Sequence, residues 1–168
     1  PKIRYTDAEG GEHEIHCDIL VGADGSQSTC RRSIPKEERS ENFIEYPFAW
    51  FGILTEAPPS APELIYANSP HGFALISQRN DEVQRMYFQC DPEENVDDWD
   101  EERIWAELQR RVDGPDGFQL KRGPIFEKVV LKFRSYVGEP MRYGNMFLAG
   151  DAAHTVPPTG AKAVSYTH

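Results

Sequence analysis

Two short apolar strands in this chain each run into an acidic corner, and that repeated design limits the folds open to it. In DILVGADGSQS, Asp18-Ile19-Leu20-Val21 leads into Gly22 and Asp24; in MFLAGDAAHTVPPTGAK, Met146 to Ala149 leads into Gly150 and Asp151, with Pro157, Pro158 and Gly160 beyond. Glycine at such a corner lets backbone approach a ligand closely. In α/β sheets, ligands sit in the crevice beyond the strands' carboxyl ends. A carboxylate there accepts hydrogen bonds from sugar or polyol hydroxyls, and the free amides of a following helix start face an anionic or electron-rich group. The plainer alternative is a pair of ordinary strand–turn–helix connections in which each Asp caps a helix. Two such corners in one chain favour a ligand site.

Between the corners the pattern changes. Phe48 to Leu54 is strand-like and ends at the Pro58-Pro59 breaker. Glu63 to Ala67 and Gly72 to Arg79 follow; in the second, Phe73, Leu75, Ser77 and Arg79 share one face while Ala74, Ile76 and Gln78 share the other. After a turn at Asn80-Asp81-Glu82, a returning strand puts Arg85, Tyr87 and Gln89 on one face and Met86, Phe88 and Cys90 on the other. This predicts antiparallel strands with one polar face. Asp98 is placed to cap a helix through Glu101, with Ile104, Leu108 and Val112 on its inner side. Ile125 to Val137 reads as another strand. The fold class expected is α+β with an α/β part.

Hydrophobic content of 39%, with 11% aromatics, supports a real core. A net charge of −10 argues against nucleic acid as a partner, because phosphates call for a basic face. The three cysteines, Cys17, Cys30 and Cys90, form no CxxC pair and suggest no disulfide framework, which fits a reducing cytoplasm. No apolar run approaches the roughly 20 residues a bilayer demands, and no signal peptide opens the chain. The expectation is therefore a cytoplasmic protein with no membrane partner. No second ligand is spaced to join His154 in a metal site, so none is expected. The opening hairpin texture of PKIRYTDAEGGEHEIHCDIL, and an end close to a helix start, suggest a central piece of a longer polypeptide.

With YPFAWFGIL, PPSAPELIYANSPHGFALISQR, RMYFQC, DDWDEERIWAEL and LAGDAAHTVPPTGAK beside the Asp-Gly corner, the chain resembles the flavoprotein aromatic hydroxylases, and among them those that act on 4-hydroxybenzoate. The resemblance implies part of a FAD-binding Rossmann-like domain with an inserted antiparallel-sheet substrate domain. The ranges implied are 1–40 and 141–168 for the flavin part and 41–140 for the substrate part. It implies FAD as cofactor, NAD(P)H and O2 as co-substrates, 3,4-dihydroxybenzoate as product, and a homodimer at full length. Asp151, with Gly150, would hold a flavin ribityl hydroxyl, and amides at Thr159, Gly160, Ala161 and Lys162 would face the pyrimidine end. Proline fixes φ in that loop and offers no competing N–H, and the Pro158 carbonyl would face the substrate hydroxyl.

Arg79, Ser77 and Tyr87 would form a benzoate receptor, since a guanidinium suits bidentate pairing with a carboxylate. Tyr66 would bond the phenolic oxygen, and Arg85 would favour anionic flavin and phenolate. Asp24 and Arg31 match positions linked to flavin and pyridine nucleotide, and Arg134 is a further candidate for NADPH phosphates. Ser26-Gln27 stands where Phe-His is common in these enzymes, which leaves NADPH or NADH open. No GxGxxG is present, so the piece alone is expected to bind FAD weakly. The alternatives are a sister hydroxylase of another phenol and a non-catalytic binding module.

Overall fold

The computed structural model describes residues 1–158. The chain forms two compact units, one from residues 1–45 and 134–168 and the other from Tyr46–Phe133. Strands β4 (Ser40–Glu56) and β8 (Ile125–Glu139) run through the boundaries.

In the first unit, β1 (Lys2–Thr6) and β2 (Glu12–His16) pair as an exposed antiparallel hairpin. The acidic corners are built from β3 (Leu20–Gly22) and β10 (Met146–Leu148), which lie parallel and in register, Leu20 opposite Met146 and Gly22 opposite Leu148. The two-residue β9 (Arg142–Tyr143) closes this sheet on the β10 side. Helix α1 (Thr29–Ser33) follows β3, and Ile34, Met146, Leu148 and Ala153 form the small core beneath. Parallel pairing of the two apolar strands brings both corners to one end of the sheet. Asp151 itself sits in a 3-10 turn, Gly150–Ala152, which is followed by β11 (His154–Thr155), pairing antiparallel with β8 at Val137 and Tyr136. The helix start expected beyond Pro158 lies outside the described residues.

In the second unit the strand order is β8, β4, β7 (Val83–Cys90), β6 (Gly72–Gln78), β5 (Ile65–Ser69). One face carries Phe51, Ile53, Ala74, Ile76, Met86 and Phe88, and helix α2 (Glu101–Val112) closes it with Ile104, Trp105 and Leu108. The inner helical stripe falls where the four-residue recurrence puts it. Its cap does not. Asp100, rather than Asp98, accepts the amide of Arg103 at 2.8 Å, while Asp98 ends a 3-10 turn and offers its carbonyl to the Arg103 guanidinium. At the other end of the sheet, the Asn80 side chain takes the amides of Glu82 and Val83, making the turn read in the sequence.

Candidate active site

The two acidic corners have different chemistry. Asp24 is fully engaged by its own chain: Ser28 Oγ donates to Oδ1 at 2.5 Å, and the amides of Thr29 and Cys30 donate to Oδ2 at 2.7 and 3.0 Å. Burial opposes ionisation of this carboxyl, but the Ser28 hydroxyl and the amides outweigh it and pull the pKa down to about 2. Its local work is the start of α1, the plainer of the two sequence readings. Asp151 is exposed, and its carboxylate has no hydrogen bond or ion pair among the described residues. Gly150 beside it has φ +59°, and a Cβ there would meet nothing within 4 Å. The backbone at this corner is open to a ligand, in a conformation that glycine adopts at no steric cost.

Arg31 joins the corners. It is 8% exposed, and its guanidinium donates to the carbonyls of Ser26 at 2.6 Å, Ala152 at 2.8 Å and, more weakly, Asp151 at 3.4 Å. Its carbon lies 4.5 Å from the centre of the Tyr136 ring. Sequence reading places Arg31 at a nucleotide; the structure shows its polar contacts going to backbone. Beside it lies a cleft of about 210 Å³ lined by Ser26, Gln27, Arg31, Arg134, Tyr136 and Thr155. Arg134 is exposed there, with no hydrogen bond or ion pair among the described residues. His154 is buried on β11, its Nδ1 without a partner among the described residues. Pro158 is exposed, and Thr159, Gly160, Ala161 and Lys162 lie outside the described residues.

In the second unit the register assembles the other candidates. Tyr66 stands opposite Leu75, Leu75 opposite Tyr87, and Tyr87 opposite Gly52, so one row crosses four strands. Ser77 stands opposite Arg85 in the next row. Alternation puts Tyr66, Ser77, Arg85 and Tyr87 on one face, away from α2. This face is less polar than the sequence pattern predicts. Trp50, Leu75, Tyr87 and Phe133 form a buried cluster on it, with Phe73 stacked on Trp50 at 5.2 Å and 18°. The aromatic partners come from β4 and β8, which the alternation within β6 and β7 does not reveal.

Tyr87's ring lies across Gly52, where an added Cβ would fall 2.5 Å from Cε1. Tyr66 is 54% exposed, its ring 5.8 Å from that of Phe73. Ser77 Oγ donates to the carbonyl of Arg85 at 3.0 Å. The Arg85 guanidinium carbon sits 5.2 Å from the Tyr87 ring centre, and its Nε is buried without a partner among the described residues. Arg85 makes no ion pair with Glu82, three residues back in the sequence. Arg79, one residue beyond β6, is exposed, its amide donating to Val83 O at 2.8 Å and its guanidinium without a partner among the described residues. The face thus offers an apolar, aromatic floor, two tyrosine hydroxyls, a serine and two guanidinium groups without ion-pair partners among the described residues.

A family model described as FAD binding domain matches residues 1–164, and the chain belongs to that family. The family's cofactor is FAD, and the chain combines a parallel α/β part with an antiparallel sheet. More narrowly, the chain is 43% identical over 165 residues to p-hydroxybenzoate hydroxylase of Acinetobacter baylyi, an alignment covering 98% of this chain and 41% of that protein. It is 27% identical to aklavinone 12-hydroxylase DnrF of Streptomyces peucetius subsp. caesius, over 90% of this chain and 31% of the relative. Among solved structures, aklavinone-11 hydroxylase in complex with FAD and aklavinone superposes with a TM-score of 0.70 at 22% identity, over 98% of this chain and 31% of that one. p-Nitrophenol 4-monooxygenase PnpA from Pseudomonas putida gives 0.63 at 19% identity, over 98% and 41%. The chain therefore spans well under half the length of the curated relatives it matches. No helix among the described residues is long and apolar enough to cross a membrane.

Proposed function

We propose that these residues belong to a longer FAD-dependent monooxygenase that converts 4-hydroxybenzoate to 3,4-dihydroxybenzoate with NAD(P)H and O2. The observation that carries this is the row Tyr66–Leu75–Tyr87 with Ser77 and Arg85 beside it on one sheet face, and Arg79 free at the strand's end. The 43% identity to p-hydroxybenzoate hydroxylase favours this substrate over another phenol.

Residues 1–40 and 141–168 form the flavin part and 41–140 the substrate part. Asp151 accepts from a ribityl hydroxyl, which the open backbone at Gly150 and the unbonded carboxylate fit. Thr159, Gly160, Ala161 and Lys162, which the sequence reading assigns to the flavin's pyrimidine end, lie outside the described residues. FAD, when bound, supplies the electron transfer and oxygen chemistry. The chain's own residues bind and activate the ring. Arg79, with Ser77 and Tyr87, pairs with the substrate carboxylate and fixes its orientation. Tyr66 takes part in a hydrogen bond with the phenolic oxygen and, with the Pro158 carbonyl, favours phenolate. An unperturbed phenol has a pKa of roughly 10, so that bias raises the electron density of the ring at neutral pH. Arg85 supplies positive charge for the same purpose. The cleft beside Arg134, walled by Arg31 and close to Asp24 in sequence, receives NAD(P)H. The full-length protein is a cytoplasmic homodimer.

The test is Arg79→Ala in the full-length flavoprotein. KM for 4-hydroxybenzoate should rise about 10- to 100-fold, as expected for losing hydrogen bonds between charged groups. An unchanged KM would point to a neutral phenol instead.

A further inference from the structure

Helix α2 carries a buried ion pair that takes no part in the ligand face described above. Glu107 and Arg111 sit one helical turn apart and are 8% and 7% exposed. Arg111 Nε and Nη2 donate to Glu107 Oε1 at 2.8 and 2.5 Å, and Arg110 Nη2 approaches Glu107 Oε2 at 2.5 Å. The remaining Nη1 leaves the helix and donates at 2.9 Å to the carbonyl of Phe73, at the start of β6 beside the β5–β6 turn. The fit is close: a Cβ on Gly72 would lie 3.1 Å from Nη1. The guanidinium carbon also sits 5.1 Å from the centre of the Phe88 ring.

A buried ion pair is weak evidence for stability, because desolvation of both ions offsets much of their attraction. What it does supply is direction. With Nε and Nη2 held by one carboxylate oxygen, the planar fork aims Nη1 at a single place. That place matters because, among the described residues, β5 is an edge strand paired with β6 alone. Phe73's carbonyl is held from the α2 side, while its ring projects to the opposite face, 5.2 Å from Trp50 and 5.8 Å from Tyr66. Burial alone would raise the Glu107 carboxyl, but the hydrogen bonds from Arg110 and Arg111 hold it below the usual carboxylate range, so the anchor stays ionised.

We propose that Arg111 is a positioning residue for the aromatic-acid site: braced by Glu107, it pins the β5–β6 hairpin through the Phe73 carbonyl and so fixes the Phe73 and Tyr66 rings on the far side of the sheet. The proposal rests on the reading that this face receives 4-hydroxybenzoate. It assigns no contact between Arg111 and the ligand.

The test compares Arg111→Met with Leu108→Ala in the full-length flavoprotein. Leu108 is fully buried on the same helix and in the same core, with no hydrogen bond to the hairpin, so its loss reports core packing with the Phe73 anchor intact. Two quantities are read: amide hydrogen exchange of residues 65–73 against residues 83–90 without ligand, and the Kd for 4-hydroxybenzoate. Arg111→Met should speed exchange in 65–73 about tenfold more than in 83–90 and raise Kd about tenfold, the loss expected for one charged hydrogen bond. Leu108→Ala should move both segments together, with little change in Kd. Arg111→Lys, which keeps a donor for the Phe73 carbonyl, should recover part of both effects and carries the same contrast should the Met variant not fold. The same exchange pattern and the same Kd in the Arg111 and Leu108 variants would overturn the proposal. Wild-type protein that binds no 4-hydroxybenzoate would remove the functional reading instead, and the exchange contrast would still decide whether Arg111 anchors the hairpin.

Discussion

Asp24 and Asp151 stand at the ends of paired parallel strands, within two residues of a glycine, yet their carboxylates live in opposite circumstances. Three donors from the chain itself surround the Asp24 carboxylate; none among the described residues reaches the carboxylate of Asp151. The same local design therefore does two jobs, a helix start at one strand end and an open acceptor at its neighbour. What separates them is the continuation. After Asp24 the chain turns into α1 and delivers Ser28, Thr29 and Cys30 back to the carboxylate, whereas at Asp151 it makes one 3-10 turn and leaves as β11. A motif names the corner, and the next six residues decide whether its charge is satisfied internally.

Arg31 is where the contrast breaks, since it bonds both corners. Arg31→Met in the full-length flavoprotein leaves three carbonyls without their cation and should cost about 3 kcal/mol of stability, read by denaturant unfolding. A loss near zero would mean the corners hold their shape independently. Asp151→Ala should separate them most cleanly. FAD affinity should fall by about 10- to 100-fold, for about 1.5–3 kcal/mol of charged hydrogen bonding, with the unfolding midpoint unmoved. Asp24→Ala should do the reverse, taking about 1 kcal/mol from stability, as for other lost helix-start acceptors, and changing FAD affinity less than about twofold by the same reasoning. An Asp24 variant that loses FAD while staying fully stable would erase the distinction.

The smallest effect is in pH. Asp24's carboxyl is pulled from 3.8 to about 2 in the folded chain. A depressed folded pKa gives stability that is complete above 3.8 and drains away as pH falls towards about 2. Acid titration of unfolding should show this slope, and Asp24→Asn should flatten it.

How much of this was legible beforehand varied by region for physical reasons. The corners, the alternation in β6 and β7, the Asn80 turn and the inner stripe of α2 follow from local pattern. The 17 residues of β4 do not: its first residues are mostly exposed, so no alternation marks Ser40 to Tyr46, and only the stretch from Phe48 to Leu54 reads as strand. The cap of α2 was misplaced because Asp97, Asp98 and Asp100 all offer carboxylates. Burial of Trp99, whose Nε1 donates to Glu94 at 2.8 Å, sets the register and leaves Asp100 as the cap. The aromatic character of the Tyr66 face was missed because Trp50 and Phe133 arrive from strands distant in sequence. Glu107 and Arg111 carried a readable signal, an acid and a base four apart, but nothing local shows that the pair is buried or that it reaches Phe73.

Tyr87 resting on Gly52 has one further consequence. The ring's height above the sheet is governed by a methyl group that is not there, since even alanine at that position would intrude to 2.5 Å. The depth of the proposed receptor can thus be tuned from underneath, through the floor of the neighbouring strand, without replacing any group proposed to touch the acid.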